Sequence, residues 1–209
     1  MKYSKQLLSL ACLLTLASCG GGGGSGGSSS QEQRQEENSA NLEGTYKAIL
    51  RPYNFTVSGW IPNGMTDIKV VDGQLEIKSW LDDSSNVTHM QNIHVGTTCP
   101  DMEHDSNRDG FVDFNESVRV AGGVLLPLDS DLTSQDGSNV FPKGNFTYYQ
   151  KASVDEITAS LQKDIGLEGK VIIIMGAAAN RNLPATVSTV NGMTKELSVP
   201  IACGVIQRM

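Results

Sequence analysis

Past residue 41 the chain consists mainly of short runs rich in β-branched and aromatic residues, separated by Gly, Pro, Asn and Asp. Runs of this length with such boundaries are typical of β-strands. The predicted strands cover residues 45–50, 55–60, 68–71, 74–80, 89–95, 146–151, 171–175, 185–190 and 197–206. Asp72-Gly73 predicts a tight hairpin turn, because this pair tolerates the positive φ angles that match strand twist. The pattern therefore predicts a mainly β fold, an antiparallel sandwich or barrel.

One segment carries a helical pattern instead. Ser153 and Glu156 have the spacing of a capping box, in which each side chain satisfies a backbone N–H group at the start of a helix. Val154, Ile157 and Leu161 then fall on one face. We expect one short helix here beside the strands.

The N-terminus has the organisation of an export signal. Lys2 and Lys5 precede an almost wholly apolar run at 7–16, which is too short to span a bilayer as a helix. The run ends in Leu-Ala-Ser-Cys at 16–19, which resembles the bacterial lipobox, a small-residue cleavage site before an acylated cysteine. We expect residues 1–18 to be removed and Cys19 to be lipidated, with an ordinary secretory signal as the alternative. Gly20 after the cysteine fits anchoring at the outer membrane.

The segment 19–40 should be a flexible tether, because Gly and Ser followed by charged residues cannot bury enough apolar surface to fold. The folded domain is then expected at 41–209. The formal net charge of the whole chain is −7, and removal of the signal with its two lysines makes it more negative. An acidic surface argues against nucleic acid as a partner.

Two of the four cysteines, Cys99 and Cys203, remain in the expected domain. In the oxidising compartment that an export signal implies, an even pair predicts a disulfide. A metal-binding pair or two free thiols are the alternatives.

The segment 105–116, with the sequence DSNRDGFVDFNE, has the spacing of an EF-hand calcium loop. Calcium takes six to eight oxygen ligands, and Gly110 permits the sharp turn that such a loop needs. The expected ligands are the side chains of Asp105, Asn107, Asp109, Asp113 and Glu116, and the carbonyl of Phe111. The alternative is a solvated acidic loop. Because we expect neither a long entering helix nor much of an exiting one, a structural ion fits better than a calcium sensor.

The C-terminal sequence Ile-Ala-Cys-Gly-Val-Ile at 201–206 resembles the signature of copper/zinc superoxide dismutases. The resemblance implies a Greek-key β-sandwich or barrel with the calcium loop inserted after Cys99, and it implies a bond from that cysteine to the C-terminal one. Asn92 and His94 stand where that family has two copper ligands, and Met175 stands where it has another copper histidine. The chain is also similar to a looser group of secreted bacterial proteins that carry a histidine strand, Cys-Pro and a calcium loop.

The departures from the family argue against its activity. The whole chain has three histidines, too few for a copper and a zinc site, and Pro200 stands where the family has its superoxide-steering arginine. We therefore expect no catalytic residues and a non-enzymatic, calcium-binding, membrane-anchored module. The alternative is a copper-handling protein or residual oxidoreductase that uses His94, Met175 and His104, since Met is a soft ligand favouring Cu(I).

Overall fold

The computed structural model describes residues 42–54, 61–82, 86–134, 140–161, 165–178, 182–190 and 192–209. The expected signal, the lipidated Cys19, the tether 19–40 and the predicted strand 55–60 lie outside the described residues. The described part forms the following elements, with 3₁₀ turns at Met102–His104 and Glu196–Ser198: β1 Gly44–Pro52, β2 Asn63–Val71, β3 Gln74–Asp82, β4 Gln91–His94, α1 Phe114–Ala121, β5 Val124–Pro127, β6 Phe146–Ser153, α2 Val154–Leu161, β7 Val171–Met175, β8 Pro200–Val205 and β9 Gln207–Arg208.

The strands form one antiparallel sheet in the order β5-β4-β7-β8-β1-β2-β3-β6, with β9 paired to β1. The sheet curls into a half-barrel, which confirms the prediction of a mainly β, antiparallel fold. The hairpin between β2 and β3 turns at Asp72 and Gly73, whose φ angles are 52° and 69°. Both are left-handed, as the Asp-Gly pair predicted.

Apolar residues cover both faces of the sheet where β7 crosses it. Ile172 and Ile174 belong to the main core inside the curl, together with most of the large buried side chains of β1, β2 and β3. Val171, Ile173 and Met175 belong to a second, smaller cluster on the opposite face. All five residues of β7 are buried, because successive side chains of a strand point to opposite faces and here both are covered.

The second face is covered by the polypeptide that contains the expected calcium loop. Val112 and Ala121 from this stretch are fully buried in the smaller cluster, where they pack with residues such as Tyr53, Met90 and Cys203. The second half of the loop is therefore anchored in a second core layer through Val112, whereas residues 106–108 are exposed.

Several sequence expectations need correction. The segment 185–190 is not a strand: it forms turns, and its Ser188 and Val190 N–H groups bond to the side chains of Asp113 and Ser198. The predicted strand 197–206 begins only at Pro200, because a 3₁₀ turn precedes it, and the strand expected at 89–95 is limited to β4. The strands β5 and β9 were not predicted.

The described part of the chain includes two short α-helices where one was predicted. The expected helix at 154–161 is confirmed as α2. The additional helix α1 follows the loop directly, although little exiting helix was expected. It forms because Asp113 caps its first turn, accepting a hydrogen bond from the Glu116 N–H, while the Glu116 side chain bonds back to the Asp113 N–H.

Candidate metal centre

The loop 105–116 is shaped by its own side chains. Asp105 accepts hydrogen bonds from the N–H groups of Asp109, at 3.2 Å, and Gly110, at 2.8 Å. The Asn107 Oδ1 atom also accepts from Asp109, and Asp109 Oδ1 accepts from Phe111. Gly110 has a φ of 90°, a left-handed angle that glycine adopts without strain. These bonds fold the first half of the loop, which contains Asp105, Asn107 and Asp109, into a tight turn.

Glu116 draws the two ends of the loop together. Its Oε1 atom accepts hydrogen bonds from the Ser106 N–H and hydroxyl groups and from the Asn107 N–H group. Its Oε2 atom accepts from the Asp113 N–H at 3.1 Å. The last residue of the loop is therefore joined to the first residues of the loop by hydrogen bonds.

Two carboxylates of the loop are buried. Asp113 is 3% exposed and Glu116 is 4% exposed. Among the described residues neither forms an ion pair with Lys, Arg or His. Arg119, in α1, donates a hydrogen bond to the hydroxyl of Ser106 and forms no ion pair with a carboxylate among the described residues. The site therefore concentrates negative charge that the described protein does not neutralise.

Within the described ranges, no group of three or more His, Cys, Asp and Glu side chains is arranged to hold a metal ion. In the loop the carboxylates are directed at backbone N–H groups, as described above. The expected donor set also includes the amide of Asn107 and the carbonyl of Phe111, which belong to neither residue class.

The loop is fastened to the rest of the domain at several points. The disulfide Cys99–Cys203 joins the start of this excursion to β8, with 5.8 Å between the Cα atoms, which confirms the predicted pair. The hydroxyls of Tyr53 and Ser117 lie 2.9 Å apart and connect α1 to the end of β1. A cavity of about 390 Å³ opens beside the disulfide, next to Arg51 and Asp101.

A distant segment holds two of the expected calcium ligands. The Thr186 hydroxyl donates to Asp109 Oδ2 at 2.6 Å, and the Ser188 N–H donates to Asp113 Oδ2 at 2.8 Å. Sequence reasoning missed both residues, because it read this segment as a strand. No sequence motif identifies Thr186 or Ser188 as a partner of the loop. They are brought next to it by the tertiary fold, across more than 70 positions of sequence.

His94 lies under the end of α1. Its side chain is fully buried, and its Nδ1 atom is 2.9 Å from the carbonyl oxygen of Gly122, so Nδ1 carries the proton and donates it. The Nε2 atom then carries no proton, and it has no hydrogen-bond partner among the described residues. Burial lowers the pKa of the His94 imidazole, and the bond to Gly122 partly offsets this effect.

Acid should therefore destabilise the protein through His94. Because its pKa is lower in the folded than in the unfolded chain, where it is about 6.5, the unfolded chain binds more protons below that pH. The stability contributed above about pH 6.5 is lost as the pH falls, by at most ~1.4 kcal/mol per pH unit for one proton. In urea denaturation between pH 7.5 and 5, wild type should lose more stability than His94→Gln. Equal losses would contradict this assignment.

The structure does not bring together the residues of the residual copper site. His94 pairs with Val171 at one end of β7, whereas Met175 lies four residues further, about 13 Å away at the ~3.3 Å rise of a strand. Met175 is buried among apolar side chains of the second cluster. His104 lies in a 3₁₀ turn with its Nδ1 atom 2.8 Å from Asp101 Oδ1. The structure therefore gives no support to a copper site built from these three residues.

Comparison with known protein families and with curated proteins identified no match for this chain. No helix in the part of the chain that the structure describes is long and apolar enough to cross a membrane.

Proposed function

We propose that this protein is a non-enzymatic, calcium-binding lipoprotein of the bacterial envelope, in which the loop 105–116 holds one calcium ion. The proposal depends most on one observation, the burial of Asp113 and Glu116 without a cationic partner among the described residues. Removing charged groups from water carries a penalty of several kcal/mol per ion. The hydrogen bonds that Glu116 and Asp113 accept offset part of this penalty, but among the described residues no positive charge balances the two carboxylates. A calcium ion would supply that charge, and its preference for oxygen matches the donors present.

The donor set fits calcium better than other common metals. The ion would be held by the side chains of Asp105, Asn107, Asp109, Asp113 and Glu116 and by the Phe111 carbonyl. All these donors are hard oxygens, and nitrogen and sulfur donors, which zinc and copper prefer, are absent from the loop. To bind the ion, Glu116 would exchange its hydrogen bonds with Ser106 and Asn107 for contacts with the metal.

The role we propose for the ion is structural. A calcium switch needs a helix pair that can open, but here only a 3₁₀ turn precedes the loop, and α1 is held by Tyr53 and by its packing on the sheet. The ion would instead stabilise the layer that covers the second face of β7. It would offset the entropy lost when a long excursion between β4 and β5 becomes ordered.

The same proposal places the domain outside the cytoplasm, anchored through lipidated Cys19 at the outer membrane on the tether 19–40. A disulfide between Cys99 and Cys203 is compatible with such an oxidising compartment. Kinship with the Greek-key fold of copper/zinc superoxide dismutases is also part of the proposal. It is supported by the pairing of strands distant in sequence, β1 with β8, β3 with β6 and β4 with β7.

A calcium titration tests this function. We expect the chain carrying Cys19→Ser, freed of metal by a chelator, to bind one calcium ion in calorimetry. A Kd of about 10⁻⁴–10⁻³ M would match extracellular calcium modules. The melting temperature should rise with calcium and much less with magnesium, which requires stricter octahedral geometry. Identical melting with and without millimolar calcium would refute the proposal. Tight copper binding that is lost in His94→Ala would instead favour a copper-handling protein.

A further inference from the structure

Asn54, just after β1, is a buried polar residue in an unusual backbone conformation. Its side chain is fully buried, and its φ angle of 58° lies in the left-handed region, which few residues other than glycine adopt. Asn is one of the residues that tolerate this region. Such a conformation in the interior requires specific contacts that hold it in place.

Those contacts lead to the centre of the loop. The Asn54 Nδ2 group donates to the Val112 carbonyl and to the Pro200 carbonyl, each at 2.8 Å. The Asn54 Oδ1 atom accepts from the Val112 N–H at 2.8 Å. One carboxamide thus satisfies both backbone groups of Val112, as a neighbouring strand would, and it joins the loop to the start of β8.

The bond to the Val112 N–H also orients the preceding carbonyl. The C=O of Phe111 and the N–H of Val112 belong to the same peptide unit, which is planar and trans, so the two groups point in opposite directions. With the N–H directed at Asn54, the Phe111 carbonyl must point away from Asn54. No hydrogen bond among the described residues ends on this carbonyl oxygen. A hydrogen bond at the N–H also polarises the carbonyl of the same peptide and so strengthens it as a ligand.

We propose that Asn54 is a positioning residue of the calcium site, which aims and polarises the Phe111 carbonyl for the ion. The inference rests on the proposed calcium-binding function. Asn54 lies more than 50 positions before the loop and would act through the Val112 peptide, not as a ligand of the ion. Partners of this kind, which orient a ligand from behind, commonly change metal affinity by about 10–100-fold when they are removed.

The test compares one variant with a matched control in the full chain carrying Cys19→Ser. Asn54→Gly accepts the left-handed backbone and removes the carboxamide, and it should raise the calcium Kd by about 10–100-fold. Ser79→Ala breaks a fully buried hydroxyl pair with Thr66, between β2 and β3, and should leave the calcium Kd unchanged.

A spectroscopic readout separates ligand positioning from general stability. Phe111–Val112 is the one Phe–Val pair in the sequence, so labelling Phe at the carbonyl carbon with ¹³C and Val with ¹⁵N gives a single correlated NMR signal. Calcium should shift the Phe111 carbonyl signal in wild type and in Ser79→Ala. In Asn54→Gly the shift should require about 10–100-fold more calcium.

The outcomes distinguish this inference from the function on which it rests. If wild type binds no calcium, the proposed function fails and the inference fails with it. If wild type binds calcium but Asn54→Gly binds it equally well, or the Phe111 signal does not move, only the role of Asn54 is overturned. Should Asn54→Gly fold only with calcium, its Kd follows from the calcium dependence of unfolding.

Discussion

Replacing Cys203 by serine should lower the free energy of unfolding of the oxidised protein by about 2–5 kcal/mol. The bond it removes closes a loop of 104 residues between Cys99 and β8, and it fastens the start of the calcium-loop excursion to the sheet. A bond across a long loop restricts the unfolded chain strongly, and loss of a native bond of this kind typically has an effect of this size.

Urea denaturation in the absence and presence of a dithiol reductant checks this prediction. Reduced wild type should unfold like the variant, while the variant should be insensitive to the reductant. The double variant Cys99→Ser, Cys203→Ser is the control, because it leaves no unpaired thiol and should be no less stable than either single variant. Two reactive thiols in the native, oxidised wild type would contradict the prediction.

Glu116→Gln should remove most of the stability that calcium confers. At a calcium concentration about 100-fold above the Kd, a single site stabilises the folded wild type by ~2.7 kcal/mol. Glutamine has no charge and only one acceptor oxygen, so it cannot hold the ion with two oxygens as glutamate does. It also weakens the bonds to Ser106 and Asp113, so we expect some loss of stability without calcium as well.

The quantity to measure is therefore the increase in stability caused by calcium, compared between variants. Glu103→Gln is the matched control, because it removes one exposed carboxylate from the adjacent 3₁₀ turn outside the loop. Its calcium-dependent stabilisation should equal that of wild type. An equal calcium effect in Glu116→Gln would show that Glu116 is not a ligand.

Local sequence patterns were sufficient to predict those elements whose structure is decided by a few neighbouring residues. The five apolar residues 171–175 form β7, Asp72-Gly73 turns the β2–β3 hairpin, and the apolar spacing of Val154, Ile157 and Leu161 coincides with α2. In each case the periodicity or the φ preference acts within a few residues along the chain. These predictions therefore did not depend on the tertiary structure.

The helix α1 was missed although its signal is in the sequence. Asp113 and Glu116 have the spacing of a helix cap as well as of two calcium ligands, and only the second meaning was assigned to them. In the structure Asp113 and Glu116 cap the helix through reciprocal hydrogen bonds, and Glu116 also closes the loop by accepting bonds from Ser106 and Asn107. One residue pair can fit two sequence patterns. Because the pair was interpreted only as calcium ligands, the helix that it caps was not predicted.

The sequence alone determined the strands near each turn, the helix α2, the cysteine pair and the composition of the loop 105–116. Only the tertiary structure decided that this loop covers the second face of β7, that strand register separates His94 from Met175, and that Asn54 supports Val112. The physical reason is distance along the chain. Local preferences act over a few residues, whereas strand register and buried hydrogen bonds join segments 50 or more positions apart, and their free energies depend on how the whole sheet packs.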